Sequence, residues 1–189
     1  MDRLLSARDV HGRCSSLWAI VMATMLTVAD AAFAEPCAAP AAVRIRNPHL
    51  AEIVRVMQLR SPTFAGMMRQ ITQSNVIVYI ESERCTSKSA ESCLKMMGIG
   101  GGYRYLRISV SGQFTHLVAA HIAHELQHAL EIAEAPGVTD SRTLVELYRR
   151  IGYSVSFDNA FETENAKMVE KVVLHEYVTL LERRNGQTP

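Results

Sequence analysis

Charge of one sign is what this sequence lacks. Its 189 residues carry 20 Lys and Arg against 19 Asp and Glu, a formal net charge of +1. No long-range field therefore steers it toward nucleic acid or anionic lipid. A long apolar run is also missing. The most apolar stretch, Leu17 to Ala29, falls short of the ~20 residues that a membrane-crossing helix needs. No internal repeat and no low-complexity tract appears. The composition, 48% hydrophobic and 21% charged, is that of a globular protein and not of a disordered one.

Export is the first positive expectation. Arg3, Arg8 and Arg13 precede the apolar stretch, and Ala32-Phe33-Ala34 follows it with small residues suited to a cleavage site. This is the layout of a signal peptide over residues 1–34, cut after Ala34. The product is expected to be periplasmic or secreted, with no stable membrane insertion after cleavage. Cys37 lacks the small-residue context of a lipoprotein site. Cysteine is scarce, four in all, of which Cys37, Cys85 and Cys93 would remain in the exported chain. Export implies an oxidising compartment. Cys85 and Cys93 flank the polar loop CTSKSAESC and are the disulfide candidate, although three cysteines permit three single pairings.

Residues 35–46 read as an extended Pro- and Ala-rich leader segment, with a single domain over 47–189. Asn47-Pro48 is a helix-start signal, followed by Leu50, Ile53, Val54 and Met57 at helical spacing. Ser61-Pro62 repeats the signal ahead of Phe64, Met67, Met68 and Ile71. The methionines in these two helices are expected in the core. NVIVYIESE (75–83) is a continuous β-branched and aromatic run and reads as a buried strand. YRYLRISVS (103–111) alternates and reads as a second strand, antiparallel to the first. Between them GIGGG (98–102) lacks the strand-to-helix context of a phosphate loop and reads as flexible connection. Phe114 to Glu134 is helical in pattern and Pro136-Gly137 ends it. Asp140 or Ser141 caps a short helix that Gly152 stops, and a last helix is expected from about Ala160 to Arg184. The expected class is α/β (α+β): a short antiparallel sheet packed on the long helix, with further helices before and after.

Chemistry concentrates in that long helix, at AHIAHELQHALEI (120–132). Ionisable side chains are costly to bury unless something binds them. His124-Glu125-Leu126-Gln127-His128 is an HExxH pattern. Residues at i and i+4 share a helix face, so two imidazoles can grip one Zn²⁺. The Glu after the first His can reach the open coordination position and act as general base. Ala119, Ala120, Ala123 and Ala129 are small and let other elements pack closely. His121 shares the face of His124 and His128, but Ile122 follows it, so a 121/124 pair would have no base. His121 is read as lining the cleft or orienting a ligand. Glu131 is read as a carboxylate that could orient a ligand histidine.

Catalytic zinc normally has three protein ligands and a water. The HExxHxxGxxH extension that would supply a third histidine is absent. The candidates lie near the last helix. Projected onto that helix, Glu162 heads the apolar stripe of Ala166, Val169, Val173, Tyr177 and Leu180, where a carboxylate needs a partner. Glu164 shares a wetter face with Met168, Lys171 and His175. Glu162 is preferred, with Glu164 and Asp158 as alternatives.

A strand, a helix bearing HExxH and a later helix bearing a glutamate resemble the zincin metallopeptidases, and among them the gluzincins, over roughly residues 75–185. The specific match is His124, Glu125 and His128. Ala166 stands four residues after Glu162, where many gluzincins carry Asp. HELQHALEIAEAP, LYRRIGYS and FET also resemble small uncharacterised exported bacterial proteins with this motif. The resemblance implies a compact zincin-like domain that holds one Zn²⁺ and hydrolyses peptide bonds of a peptide or protein substrate, with Glu125 as base. Strand 103–110 would border the cleft and could pair with an extended peptide. Tyr148, Tyr153 and His175 are candidate oxyanion donors. The other class of function is a non-catalytic zinc-binding or scaffold protein that keeps the helix. Glu125 argues against it, because a structural site needs no base and is usually closed by four protein ligands.

Overall fold

The computed structural model describes residues 41–85, 90–111, 115–155 and 161–185. The expected signal peptide, Cys37 and Asp158 lie outside them. Among the described residues no helix is long and apolar enough to cross a membrane. The fold is mixed α/β. β1 (Val43–Ile45) leads into α1 (Pro48–Arg60) and α2 (Pro62–Thr72). β2 (Val76–Glu81), β3 (Ser92–Gly100) and β4 (Tyr103–Val110) follow. Then come α3 (Thr115–Ala133), α4 (Ser141–Ile151), β5 (Tyr153–Ser154), β6 (Phe161–Glu162) and α5 (Glu164–Asn185).

The helix starts follow from local chemistry. Asn47 accepts hydrogen bonds from the backbone N–H groups of His49 and Leu50, with Pro48 just inside α1. Ser61 does the same for Phe64 at the start of α2. Both helices bury the apolar stripes read from the sequence, the methionines Met57, Met67 and Met68 included. Asp140 caps α4 in a reciprocal arrangement with Thr143. Glu176 of α5 accepts hydrogen bonds from Ser61 and Thr63, which ties the last helix to the junction of the first two.

The sheet departs from the expected one. It has four strands in the order β1-β2-β4-β3, with β2 parallel to β4 and β3 antiparallel to β4. The two strands recognised in the sequence are therefore parallel, because the unrecognised β3 lies between them in the chain and reverses the direction once more. GIGGG is not a flexible connection. Gly98 and Gly100 belong to β3, and Gly101 and Gly102 form the β3–β4 turn with φ of 57° and 81°, the left-handed backbone that a two-residue hairpin demands. β4 pairs on both sides, with β2 and β3, so it has no free edge; β3 is the edge strand on that side. The end of the segment read as a leader supplies β1, which pairs parallel to β2. Finally, α5 begins at Glu164, and Glu162 stands on β6, paired with Tyr153 of β5, not on the helix.

Alternate residues of the central strands, Val76, Val78, Ile80, Leu106, Ile108 and Val110, form one core with α1, α2 and α3. Helix α3 is buried along most of its length. Its alanines 119, 120, 123 and 129 are almost wholly covered. The end of α3 is held by a residue that the strand pattern concealed. Arg104 of β4, 3% exposed, donates to the backbone carbonyls of Ile132 (2.6 Å), Ala133 (3.0 Å) and Ala135 (2.8 Å) and to Asn75 Oδ1 (2.5 Å). The last carbonyls of a helix lack intrahelical partners and carry its negative dipole end, so a buried guanidinium satisfies both demands.

Arg104→Met keeps the bulk and removes every donor. It should lower unfolding free energy by roughly 3 kcal/mol or more, the cost of stranding several buried carbonyls. A urea midpoint equal to wild type would show that the helix end does not depend on Arg104.

Candidate metal centre

His124 and His128 lie one turn apart on α3, 7% and 5% exposed, with ring centroids 4.9 Å apart. Glu162 reaches them from β6, its Oε1 3.3 Å from His124 Nε2. One donor atom from each of the three residues lies within 4.8 Å of the others, a cluster that could hold a metal ion.

Each imidazole is fixed by a carboxylate on its other nitrogen. His124 Nδ1 donates to Glu170 Oε2 at 2.9 Å, and His128 Nδ1 donates to Glu131 Oε2 at 2.8 Å. A carboxylate only accepts, so Nδ1 carries the proton on both rings and Nε2 is left for the cluster. Glu131 is itself held, because its Oε1 accepts from Thr163 Oγ1 at 2.7 Å. Thr163 follows Glu162 in the chain and also caps α5 by accepting from Ala166 N at 3.2 Å. The ligand, the helix cap and the support for His128 thus come from consecutive residues.

Glu162 can come so close because residue 152 is glycine. A Cβ at Gly152 would stand 2.3 Å from the Glu162 carbonyl oxygen and 3.2 Å from that of Tyr148. Its φ of −131° is open to any residue, so space and not backbone conformation excludes a side chain.

Glu125 sits beside the cluster on α3, 4% exposed. Burial pushes its carboxyl up, against the pull of His128, His124 and a hydrogen bond from Ser92. Burial also opposes the charged form of His124, but its hydrogen bonds to Glu162 and Glu170 outweigh that and hold the ring at about 10. His124 in turn holds Glu162 below the carboxylate range despite burial, and its hydrogen bond does the same for Glu170. Four carboxylates, Glu125, Glu131, Glu162 and Glu170, converge on two imidazoles. Two of the four, Glu125 and Glu131, are buried and the other two half-buried, and that excess of acidic groups fits a cation.

The remaining candidates are placed as follows. His121 Nε2 lies 3.6 Å from Glu91 and 3.8 Å from Glu170, outside the three-residue cluster. Tyr148 is buried with its ring edge-on to His128 at 5.1 Å, and its hydroxyl donates to the His128 carbonyl at 3.2 Å. Tyr153 is exposed, with Lys167 Nζ 4.7 Å from its ring centre. His175 and Glu164 are exposed on α5, and neither belongs to the cluster. Cys85 and Cys93 are disulfide-bonded. Sequence reasoning missed Ser92, Thr163, Glu170 and Gly152. Glu170 carried a signal: it stands one turn beyond the buried Ala166 on α5, where a carboxylate needs a partner, and that partner is His124 Nδ1. No protein-family model, curated protein or solved structure matches this chain, so the reading of the centre rests on its geometry.

Glu162→Ala should weaken binding of a Co²⁺ probe by at least 10-fold, whereas Glu164→Ala should leave it unchanged. Gly152→Ala, which touches no donor atom, should also weaken it, by displacing Glu162. Retention of wild-type affinity in Glu162→Ala would remove it from the ligand set. The charge state of His124 sets the pH dependence. Raised to about 10, it keeps a proton on Nε2 at neutral pH, which a metal must displace. Co²⁺ affinity should therefore rise roughly 10-fold per pH unit between about pH 6.5 and 9, with proton release on binding. Calorimetry in buffers of different ionisation enthalpy measures that proton, and a pH-independent affinity would contradict the assignment.

Proposed function

We propose that this protein is an exported zinc-dependent hydrolase of the zincin type, gluzincin-like in its ligand set, that cleaves peptide bonds. One observation carries the reading: His124 and His128 of α3 and Glu162 of β6 offer donors within 4.8 Å of one another, and Glu125 directly follows the first of these ligands on α3. Two nitrogens and one carboxylate oxygen are the donor set of a catalytic zinc site that keeps a position open. Zinc at such a site supplies Lewis-acid polarisation of a carbonyl and makes a water at the open position more acidic.

The protein's own groups do the rest. Glu131 and Glu170 keep the Nε2 atoms of His128 and His124 aimed at the centre. Glu125 accepts a proton from the attacking water and returns it to the leaving amine, and its burial suits it to hold that proton between the two steps. β3, the edge strand beside α3, offers main-chain groups to an extended peptide in place of β4. The mixed sheet, the motif helix and the later glutamate support a zincin-like architecture. The Cys85–Cys93 bond and the basic-then-apolar N-terminus support a periplasmic or secreted location.

Glu125→Gln preserves shape and removes the base. The variant should bind zinc and melt as the wild type does, yet lose peptidase activity by about 10²–10⁴-fold. Zinc content, melting temperature and cleavage of a broad peptide library test this together. Equal activity in both proteins would overturn the mechanism. A wild type that holds zinc and cleaves nothing would favour the non-catalytic zinc protein.

A further inference from the structure

Glu125 has two competing attractions. On one side are the imidazoles of His124 and His128, both of which pull on its charge. On the other is Ser92, the first residue of β3, whose Oγ donates to Glu125 Oε1 at 2.7 Å. Glutamate has a flexible side chain, and a carboxylate this close to a metal centre can swing inward and become a fourth ligand. A site closed by four protein ligands is structural, because no position remains for water. Something must hold the carboxylate back.

We propose that Ser92 is a positioning residue that keeps Glu125 out of the metal's coordination sphere, and that the Cys85–Cys93 disulfide holds Ser92 in place. The catalytic meaning of this rests on the hydrolase reading above. The start of β3 is an unusual place for a precise contact, since strand ends fray. Here it is fastened on three sides. Cys93, the next residue, is bonded to Cys85 beyond the end of β2. Ser92 and Cys93 pair with Val110 and Ser109 of β4. The carbonyl of the preceding residue, Glu91, accepts from both the backbone N–H (2.8 Å) and the hydroxyl (3.1 Å) of Ser111. With Oε1 engaged by the hydroxyl, the proton is assigned to Oε2. The disulfide thereby acquires a task at the site although neither sulfur belongs to it.

Co²⁺ is the probe, because its visible spectrum reports coordination number. Ser92→Ala should bind Co²⁺ roughly 3- to 10-fold more tightly, the worth of one hydrogen bond no longer restraining the carboxylate, with an altered spectrum. Peptidase turnover should fall by roughly 10- to 100-fold, the scale of a misplaced catalytic group, with little change in KM. Ser92→Thr keeps the hydroxyl and should restore both. The Cys85→Ala/Cys93→Ala double variant should shift the spectrum in the same direction as Ser92→Ala. In a Glu125→Gln background Ser92→Ala should change neither affinity nor spectrum. Wild-type affinity and spectrum in Ser92→Ala, or a change that persists in the Glu125→Gln background, would overturn the proposal while leaving the hydrolase reading intact. A wild type that binds no Co²⁺ at all would overturn both.

Discussion

Burial of ionisable groups on an apolar helix is the constraint that the rest of this structure answers. His124, Glu125, His128 and Glu131 lie within about two turns of α3 and are each less than a tenth exposed. Leaving one buried polar group without a partner costs about 1–3 kcal/mol, and more when it is charged. Each of the four has a partner: His128 and Glu131 pair with one another, and three outside partners come from different places, Glu170 from the body of α5, Ser92 from the start of β3, and Thr163 from the junction of β6 and α5. The surrounding elements are therefore positioned by polar demand as well as by apolar burial. Alanines 119, 120, 123 and 129 of α3 are what let them come close enough to meet it.

The contacts also form a chain and not a set of independent pairs. Glu131 shows this best. One of its oxygens orients His128 while the other accepts from Thr163, and Thr163 fixes the start of α5. The same helix then brings Glu170 to His124 and Glu176 to Ser61 and Thr63. A displacement at the head of α5 would reach both imidazoles at once. Arg104 provides the opposite anchor by tying the far end of α3 to the sheet. Between the two, the face that carries the donors has little freedom to rotate, which is what a site built from side chains of several elements requires.

The sequence was legible wherever one residue type has one dominant local meaning. Asn47-Pro48 and Ser61-Pro62 start helices because a side-chain cap and a missing N–H suit a first turn, and α1 and α2 begin there. HExxH was legible because its spacing places two imidazoles on one face whatever surrounds them. β3 was not, because Gly98 and Gly100 dilute a strand signal and Gly101-Gly102 looks the same in a flexible loop as in a tight hairpin. That single omission also reversed the inferred direction of β2 against β4 and concealed that β4 is paired on both sides, with no free edge for an extended peptide. Arg104 was hidden by alternation, since a cation in a half-buried strand is ordinarily solvated, and only the approach of α3's end makes it a buried cap. Glu162 was legible because a carboxylate heading an apolar stripe needs a partner. Its partner is the histidine pair, but a two-residue strand and not a helix carries it.

That difference in the carrier of Glu162 explains how the third donor is held in place. Had Glu162 stood in the first turn of a helix, its orientation would have depended on that helix alone, and first turns fray. Paired with Tyr153 across β5 and β6, and pressed against Gly152 with no space for a side chain between, its backbone is set by the end of α4. The end of α4 is in turn registered on α3 through Tyr148, whose hydroxyl meets the His128 carbonyl and whose ring stands against the His128 imidazole. The third donor is thus referred back to the helix that bears the other two by a path that runs through α4 and not through α5. Two paths, one through α4 to Glu162 and one through Thr163 and α5 to Glu131 and Glu170, meet at the β6–α5 junction and converge on one pair of histidines. A closed loop of this kind holds the donor geometry from both sides.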